Sequence, residues 1–235
     1  MNENYIEKNW ISGPRENKSD MLRYQQWFDS CRSLDECVAN GVVDFTHKIF
    51  TKDLYEHLGD PRGKTSLEIG FGGGRLVNIA AKIFKKSYGV DLLDAGSILK
   101  TREFLATVGN TRNVELLNYS DVNKIDNESI DFAYSFIVFQ HFSDISVVEE
   151  YLKLLKRVLK PGGVAKLFAK NIPEKVFIGR YQIQYNPEAQ FLEIPPHAMK
   201  KEVEASGGER CRYSTLFIRP EHFKKMISEH FQVLD

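Results

Sequence analysis

The sequence predicts an α/β fold, a doubly wound and mostly parallel sheet with a helical N-terminal extension and an insertion after the fifth strand. Three observations predict it. From Lys64 to Lys170 short apolar runs alternate with amphipathic stretches of about 10–15 residues, the rhythm of βαβ units. A glycine-rich turn from Gly70 to Gly74 joins the first apolar run to the first of those helices. Ile130 to Val138 is nearly continuous apolar sequence, as a strand buried on both faces requires.

Residues 1–62 are polar and aromatic and are expected to form a helical cap or lid. One helix is expected from about Met21 to Ala39, carrying Leu22, Trp27, Phe28, Leu34 and Val38, and stopping near Gly41. A second should run from Phe45 to Leu58, with Phe45, Ile49, Leu54 and Leu58 on one face. Gly59-Asp60-Pro61-Arg62-Gly63 breaks that pattern. Residues 63–235 then read as a single domain with 171–213 inserted on its substrate side. Its strands are expected at Thr65–Ile69, Ser87–Asp91, Val114–Asn118, Ile130–Val138 and Val164–Phe168, with helices at 74–86, up to about Val108, and at Val147–Leu159. Lys160-Pro161-Gly162-Gly163 reads as the stop of that last helix. The insertion carries Pro173, Pro187, Pro195 and Pro196 and a helical stretch near His197–Ala205. A final helix is expected from Arg219 to Phe231, followed by a sixth strand beginning at Phe231-Gln232-Val233-Leu234.

The chain has 235 residues, enough for one domain with a full core and a small cap. Its 32 basic and 32 acidic residues cancel, which removes the electrostatic footprint of a protein that grips phosphate backbones. Neither nucleic acid nor a membrane is expected as a partner, and no feature fixes an oligomeric state. Cys31, Cys37 and Cys211 have neither metal-site spacing nor a paired framework, so reduced thiols and no metal site are expected. The N-terminus lacks the apolar core of a signal peptide, and no run approaches the roughly eighteen apolar residues of a membrane span. A soluble, cytoplasmic protein is the expectation.

The chemistry concentrates in Leu67-Glu68-Ile69-Gly70-Phe71-Gly72-Gly73-Gly74-Arg75. A dinucleotide fingerprint wants glycine or alanine at the sixth position of G-x-G-x-x-G, where this chain has Arg75. The spacing present is E-x-G-x-G-x-G, Glu68 to Gly74. An acid just before the turn suits a ligand carrying an ammonium and a sulfonium better than one carrying a pyrophosphate.

In this stretch the chain resembles the class I, Rossmann-like family of S-adenosylmethionine-dependent methyltransferases, over roughly residues 64–170 and more loosely from 214 onward. Beyond the glycine motif, the resemblance rests on Gly89-Val90-Asp91-Leu92, Ser120-Asp121-Val122, the run Ser129 to Asp144, and Leu159-Lys160-Pro161-Gly162-Gly163. It implies S-adenosyl-L-methionine as cofactor, held by Glu68, Gly70, Phe71, Gly72, Gly74, Asp91, Leu92, Asp121, Val122, Ser135 and Phe136. Asp91 would take both ribose hydroxyls, and Asp121 the adenine amino group, with Val122 against the ring. His141, just past the fourth strand, is the candidate general base; His197 and His47 are lesser ones. Tyr24, Trp27 and the aromatics of 177–191 would line an acceptor pocket or pack the cap, and Arg210, Arg212 and Arg219 would meet an acceptor phosphate or carboxylate or lie on the surface.

The family's Asn/Asp-Pro-Pro-Tyr/Phe element for amino groups of DNA is replaced by Ser135-Phe136-Ile137-Val138, no cysteine stands where the cytosine-C5 enzymes place theirs, and Asp144 is the only acid near the end of strand four. What remains is a small-molecule acceptor, with a sugar, nucleotide-sugar or surface-glycan intermediate preferred to a lipid, quinone or amine. Other classes stay open: a nicotinamide-dependent oxidoreductase, or a cofactor-binding partner without catalysis. The family also implies an antiparallel seventh strand, to be supplied by another segment such as 171–213 or to lie outside this chain.

Overall fold

Alternation of apolar runs and amphipathic helices produces the expected sheet, seen in a computed structural model that describes residues 12–109, 112–142, 144–178, 181–183, 186–194 and 215–234. The described residues form two units, 12–136 with 157–167 and 137–156 with 168–234, and each is taken by itself.

The first unit begins with α1 (Ser12–Glu16) and has two helices where one was expected. α2 (Met21–Phe28) starts at Asp20, whose carboxylate accepts the Arg23 N–H, and α3 (Leu34–Asp44) starts at Ser33, whose hydroxyl accepts the Glu36 N–H. An N-cap needs extended backbone, and Ser33 at φ −150° breaks the helix there. The second expected helix divides as well. Phe45–Ile49 is π-helical and continues α3, the backbone leaves helical geometry at Phe50, and α4 (Lys52–Leu58) follows.

The sheet is built from β1 (Thr65–Ile69), α5 (Arg75–Ile83), β2 (Lys86–Asp91), α6 (Ala95–Thr107), β3 (Val114–Asn118) and β4 (Ile130–Ser135). The chain then enters the second unit, including α7 (Ile145–Val158), and returns as β5 (Leu159–Leu167). The strand order is β3-β2-β1-β4-β5 and every neighbouring pair is parallel. Because successive strands move outward on one side of β1 and then jump to its other side, the switch point lies between β1 and β4, where such sheets open a crevice beyond their carboxyl ends.

Two strand limits differ from expectation. β4 ends at Ser135 rather than Val138, since Ile137 has φ 59° and cannot continue a ladder. Lys160-Pro161-Gly162-Gly163 does not merely stop α7 but lies within β5, where the register shifts between Ile130 and Phe132 and a Cβ on Gly163 would stand 3.0 Å from the Ile130 carbonyl oxygen. On the face carrying Glu68, aromatic rings fill the core. Phe84 stacks on Phe132, Phe132 on Tyr134, and Phe45 meets Tyr134 edge-on at 5.4 Å.

The second unit holds two antiparallel pairs, β6 (Val176–Ile178) with β7 (Tyr181–Ile183) and β8 (Phe191–Glu193) with β9 (Leu216–Ile218), and α8 (Pro220–Ser228). Phe139, Phe142, Tyr151 and Phe223 form its aromatic core. Glu193 accepts the Ile145 N–H at the start of α7. The last helix is shorter than expected, and residues 231–234 form no strand; a four-residue run becomes one only when a ladder partner is beside it. The helical stretch expected at 197–205 lies outside the described residues.

Candidate cofactor site

The glycine turn leaves β1 with Gly70, Gly72 and Gly74 at φ 76°, 50° and 88°, a conformation that side chains other than glycine adopt at a cost. Gly70 donates its N–H to Val90 O at 2.7 Å, fixing the turn against the end of β2. The space that a Cβ would take is filled by protein at three positions. At Gly72 it would stand 2.8 Å from the Phe28 ring, at Gly73 it would collide with the Gln25 amide, and at Gly74 it would stand 2.7 Å from Thr101. These glycines therefore serve the close approach of α2 and α6, a requirement that the bare motif does not reveal.

Asp91 ends β2 and turns its half-buried carboxylate onto the glycine turn, accepting the Gly72 N–H at 2.8 Å and the Leu92 N–H at 2.7 Å. Burial raises its pKa to about 6 against the pull of those N–H groups. The Leu93 N–H reaches the same carboxylate, so of its about four lone-pair sites one remains for a hydroxyl donor.

Glu68 behaves differently. Its side chain is 2% exposed, accepts the Tyr134 hydroxyl at 3.1 Å and takes the Val77 N–H in the first turn of α5. Gly74, the residue at the cap position, has no side chain, so Glu68 supplies the missing N-terminal acceptor from the neighbouring strand. Burial pushes its carboxyl up to about 8. Phe71 points into the core with Val77, Leu93 and Leu116, leaving only its backbone to a ligand.

Asp121 and Val122 occupy a 3-10 turn, Tyr119–Lys124, directly after β3. Asp121 pairs with Lys124 at 3.0 Å, and Arg157 holds the turn through the carbonyls of Val122 and Ile125 and the side chain of Asn127. Asn118 ties it to the end of β2 by donating to Leu93 O at 3.0 Å. Ser135 sits opposite Ile69 in the ladder, fully buried, with a hydroxyl that has no partner among the described residues. Phe136 is half-buried, with Lys48 Nζ 5.2 Å and the Arg75 guanidinium 5.9 Å from its ring centre.

All of these residues belong to the first unit. His141 belongs to the second, half-buried in the 3-10 turn Phe139–His141, with Nε2 3.4 Å from the Gln140 amide nitrogen. His47 is exposed on the π-helical stretch beside Thr46 and Val43 O. Arg219 donates to the carbonyls of Ala189 and Pro187. His197, Arg210 and Arg212 lie outside the described residues.

Sequence reasoning missed Gln25, Phe28 and Thr101 and gave Arg75 no partners. Arg75 pairs with Asp44 at 2.8 Å and Asp29 at 3.8 Å, fastening α3 and the end of α2 to the glycine turn. Tyr24 is fully buried and reaches Ser97 O at 2.7 Å, while Trp27 is 4% exposed. Both are packing residues. Among the described residues no three His, Cys, Asp or Glu are grouped to hold a metal ion, and no helix is long and apolar enough to cross a membrane.

The donor set fits S-adenosylmethionine: a fixed carboxylate with acceptor capacity left, a glycine turn beside it, and a buried Ser135 hydroxyl without a partner among the described residues. Comparisons agree. Residues 67–167 match the model of a family described as a methyltransferase domain. No curated protein matches the chain. Among solved structures, it is similar to the YcgJ protein from Bacillus subtilis, with 16% identity and a TM-score of 0.51, covering 75% of this chain and 65% of that one. It is also similar to a protein from Bacillus halodurans described as a methyltransferase, with 20% identity and a TM-score of 0.51, covering 76% and 66%. At these identities the likeness is one of fold, and the chain spans just under two thirds of each of those proteins. Residues 67–167, which hold this turn and nearly all of this sheet, are thus similar to a methyltransferase domain in sequence and in fold.

Proposed function

We propose that the protein transfers a methyl group from S-adenosylmethionine to a small polar acceptor in the cytoplasm, by O-methylation of a sugar, nucleotide-sugar or surface-glycan intermediate. One observation carries the reading: the Asp91 carboxylate, held at the glycine turn by backbone N–H donors and with acceptor capacity left for a ribose hydroxyl. When bound, the cofactor supplies a methyl group on a positively charged sulfur, already activated toward in-line displacement. The chain's contribution is orientation and exclusion of water. Asp91 would hold the sugar, the backbone at Gly70 and Leu92 would flank it, and Asp121 with Val122 would take the base. Where the acceptor is a hydroxyl, His141 is proposed to remove its proton, a role most often filled by histidine.

The polar acceptor is supported by balanced charge, overall and around Phe136. There Lys48 and Arg75 are offset by Asp44 and Asp29. The test is incubation with S-adenosylmethionine carrying a heavy methyl group and a metabolite extract. A polar metabolite should gain one labelled methyl, and calorimetry should register S-adenosylmethionine but not NAD. Binding of NAD instead would overturn the reading.

A further inference from the structure

We infer that α2 is a wall of the cofactor site and that Gln25 is a positioning residue, holding the glycine turn in the shape that sets affinity for S-adenosylmethionine; this rests on the cofactor reading above. A turn with three glycines at positive φ has many alternative shapes open to it. Here two consecutive residues, Gly72 and Gly73, are clamped by side chains at three points. The Gly72 N–H is held by Asp91 at 2.8 Å, the Gly72 carbonyl accepts the Thr101 hydroxyl at 3.0 Å, and the Gly73 carbonyl accepts Gln25 Nε2 at 2.8 Å.

The Gln25 amide has only one workable orientation. Its oxygen accepts the Cys37 thiol at 3.4 Å, so its nitrogen faces Gly73, and both contacts require the same assignment. Gln25 is 1% exposed, which leaves no water at hand to replace it on that carbonyl. The Tyr24 hydroxyl, which can give its hydrogen to Ser97 O or to Thr101, lies 2.8 Å from the Thr101 hydroxyl, so α2 also packs against this second clamp. The peptides it clamps follow directly on the Phe71–Gly72 peptide whose N–H holds the Asp91 carboxylate, and a turn already fixed gives up less freedom when a ligand arrives.

The experiment pairs calorimetry of S-adenosylmethionine binding with hydrogen exchange at the Gly72–Gly74 amides of the cofactor-free protein. For Gln25→Ala the expected result is at least tenfold weaker binding together with faster exchange at those amides. Asn40→Ala, which removes a bond to Asp29 but touches no part of the turn, should change neither. If Gln25→Ala fails to fold, Tyr24→Phe takes its place, with about fivefold weaker binding expected. Affinity within twofold of wild type, or unchanged exchange, overturns the inference. A wild-type chain that binds no S-adenosylmethionine while the exchange difference persists would instead overturn the cofactor reading, and the affinity claim with it.

Discussion

Two carboxyls at the ends of adjacent strands have opposite duties, and their titrations separate them. Asp91 faces the turn and is the proposed acceptor of a ribose hydroxyl. Asp91→Ala is expected to weaken S-adenosylmethionine binding by roughly 10–100-fold, the worth of hydrogen bonds to a charged group. Wild-type affinity should fall as pH drops through about 6, because the protonated form loses acceptor capacity. Calorimetric titrations from pH 5 to pH 8 check both outcomes. Glu68 is structural, and its folded pKa of about 8 stands above its ordinary 4.5. The folded state holds a proton that the unfolded state releases, so the stability this contributes is complete below about 4.5 and is lost as pH rises through about 8. Glu68→Gln should therefore gain melting temperature relative to wild type between pH 6 and pH 9. A constant difference across that range would refute the buried, protonated state. For His141, the proposed base, His141→Ala should reduce turnover at saturating cofactor by a hundredfold or so. A loss under about tenfold would remove it from that role.

At the scale of elements, the end of β4 stores strain. Ile137 is β-branched, sits at φ 59° and is 47% exposed, so little packing compensates the backbone cost. Ile137→Asn, which tolerates the left-handed region, should raise stability by about 1 kcal/mol, or roughly 2–4 °C in melting temperature for a chain of this size. A lower melting temperature by calorimetry would contradict this. The same residue explains why β4 reads three residues too long in the sequence: Ile137-Val138 continues the apolar run, but the backbone has already turned. The split of the expected 21–39 helix had a visible signal, Ser33-Leu34-Asp35-Glu36, which is the spacing of a capped N-terminus. β1 and β3 match expectation at both ends because short β-branched and leucine-rich runs bounded by polar turns leave few alternatives.

For the whole molecule, the residues of 12–62 share one unit with the sheet. Phe45 meets Tyr134, Arg75 reaches back to Asp44, and Gly41 lies so close to α5 that a Cβ there would press on the Arg75 carbonyl. A fragment of residues 63–235 would expose that aromatic face and strand Arg75 without its partners. It is expected to lose the cooperative thermal transition of the full chain, and near-ultraviolet circular dichroism would show an independently folded fragment if the extension were dispensable.

Local pattern was enough for the sheet, the glycine turn and the place of Asp91 at the end of β2, because strand periodicity, turn chemistry and a carboxylate after a strand are all properties of neighbouring residues. The partners of that turn were not legible. Gln25 and Gly73 are 48 positions apart, and no spacing rule links them. Nor does any local rule show that Glu68 caps a helix, that Arg75 fastens the extension, or that Arg219 is consumed by carbonyls. Contacts between distant segments are chosen by which side chains fill shared space and satisfy buried polar groups once the chain has closed, and that choice exists only in three dimensions.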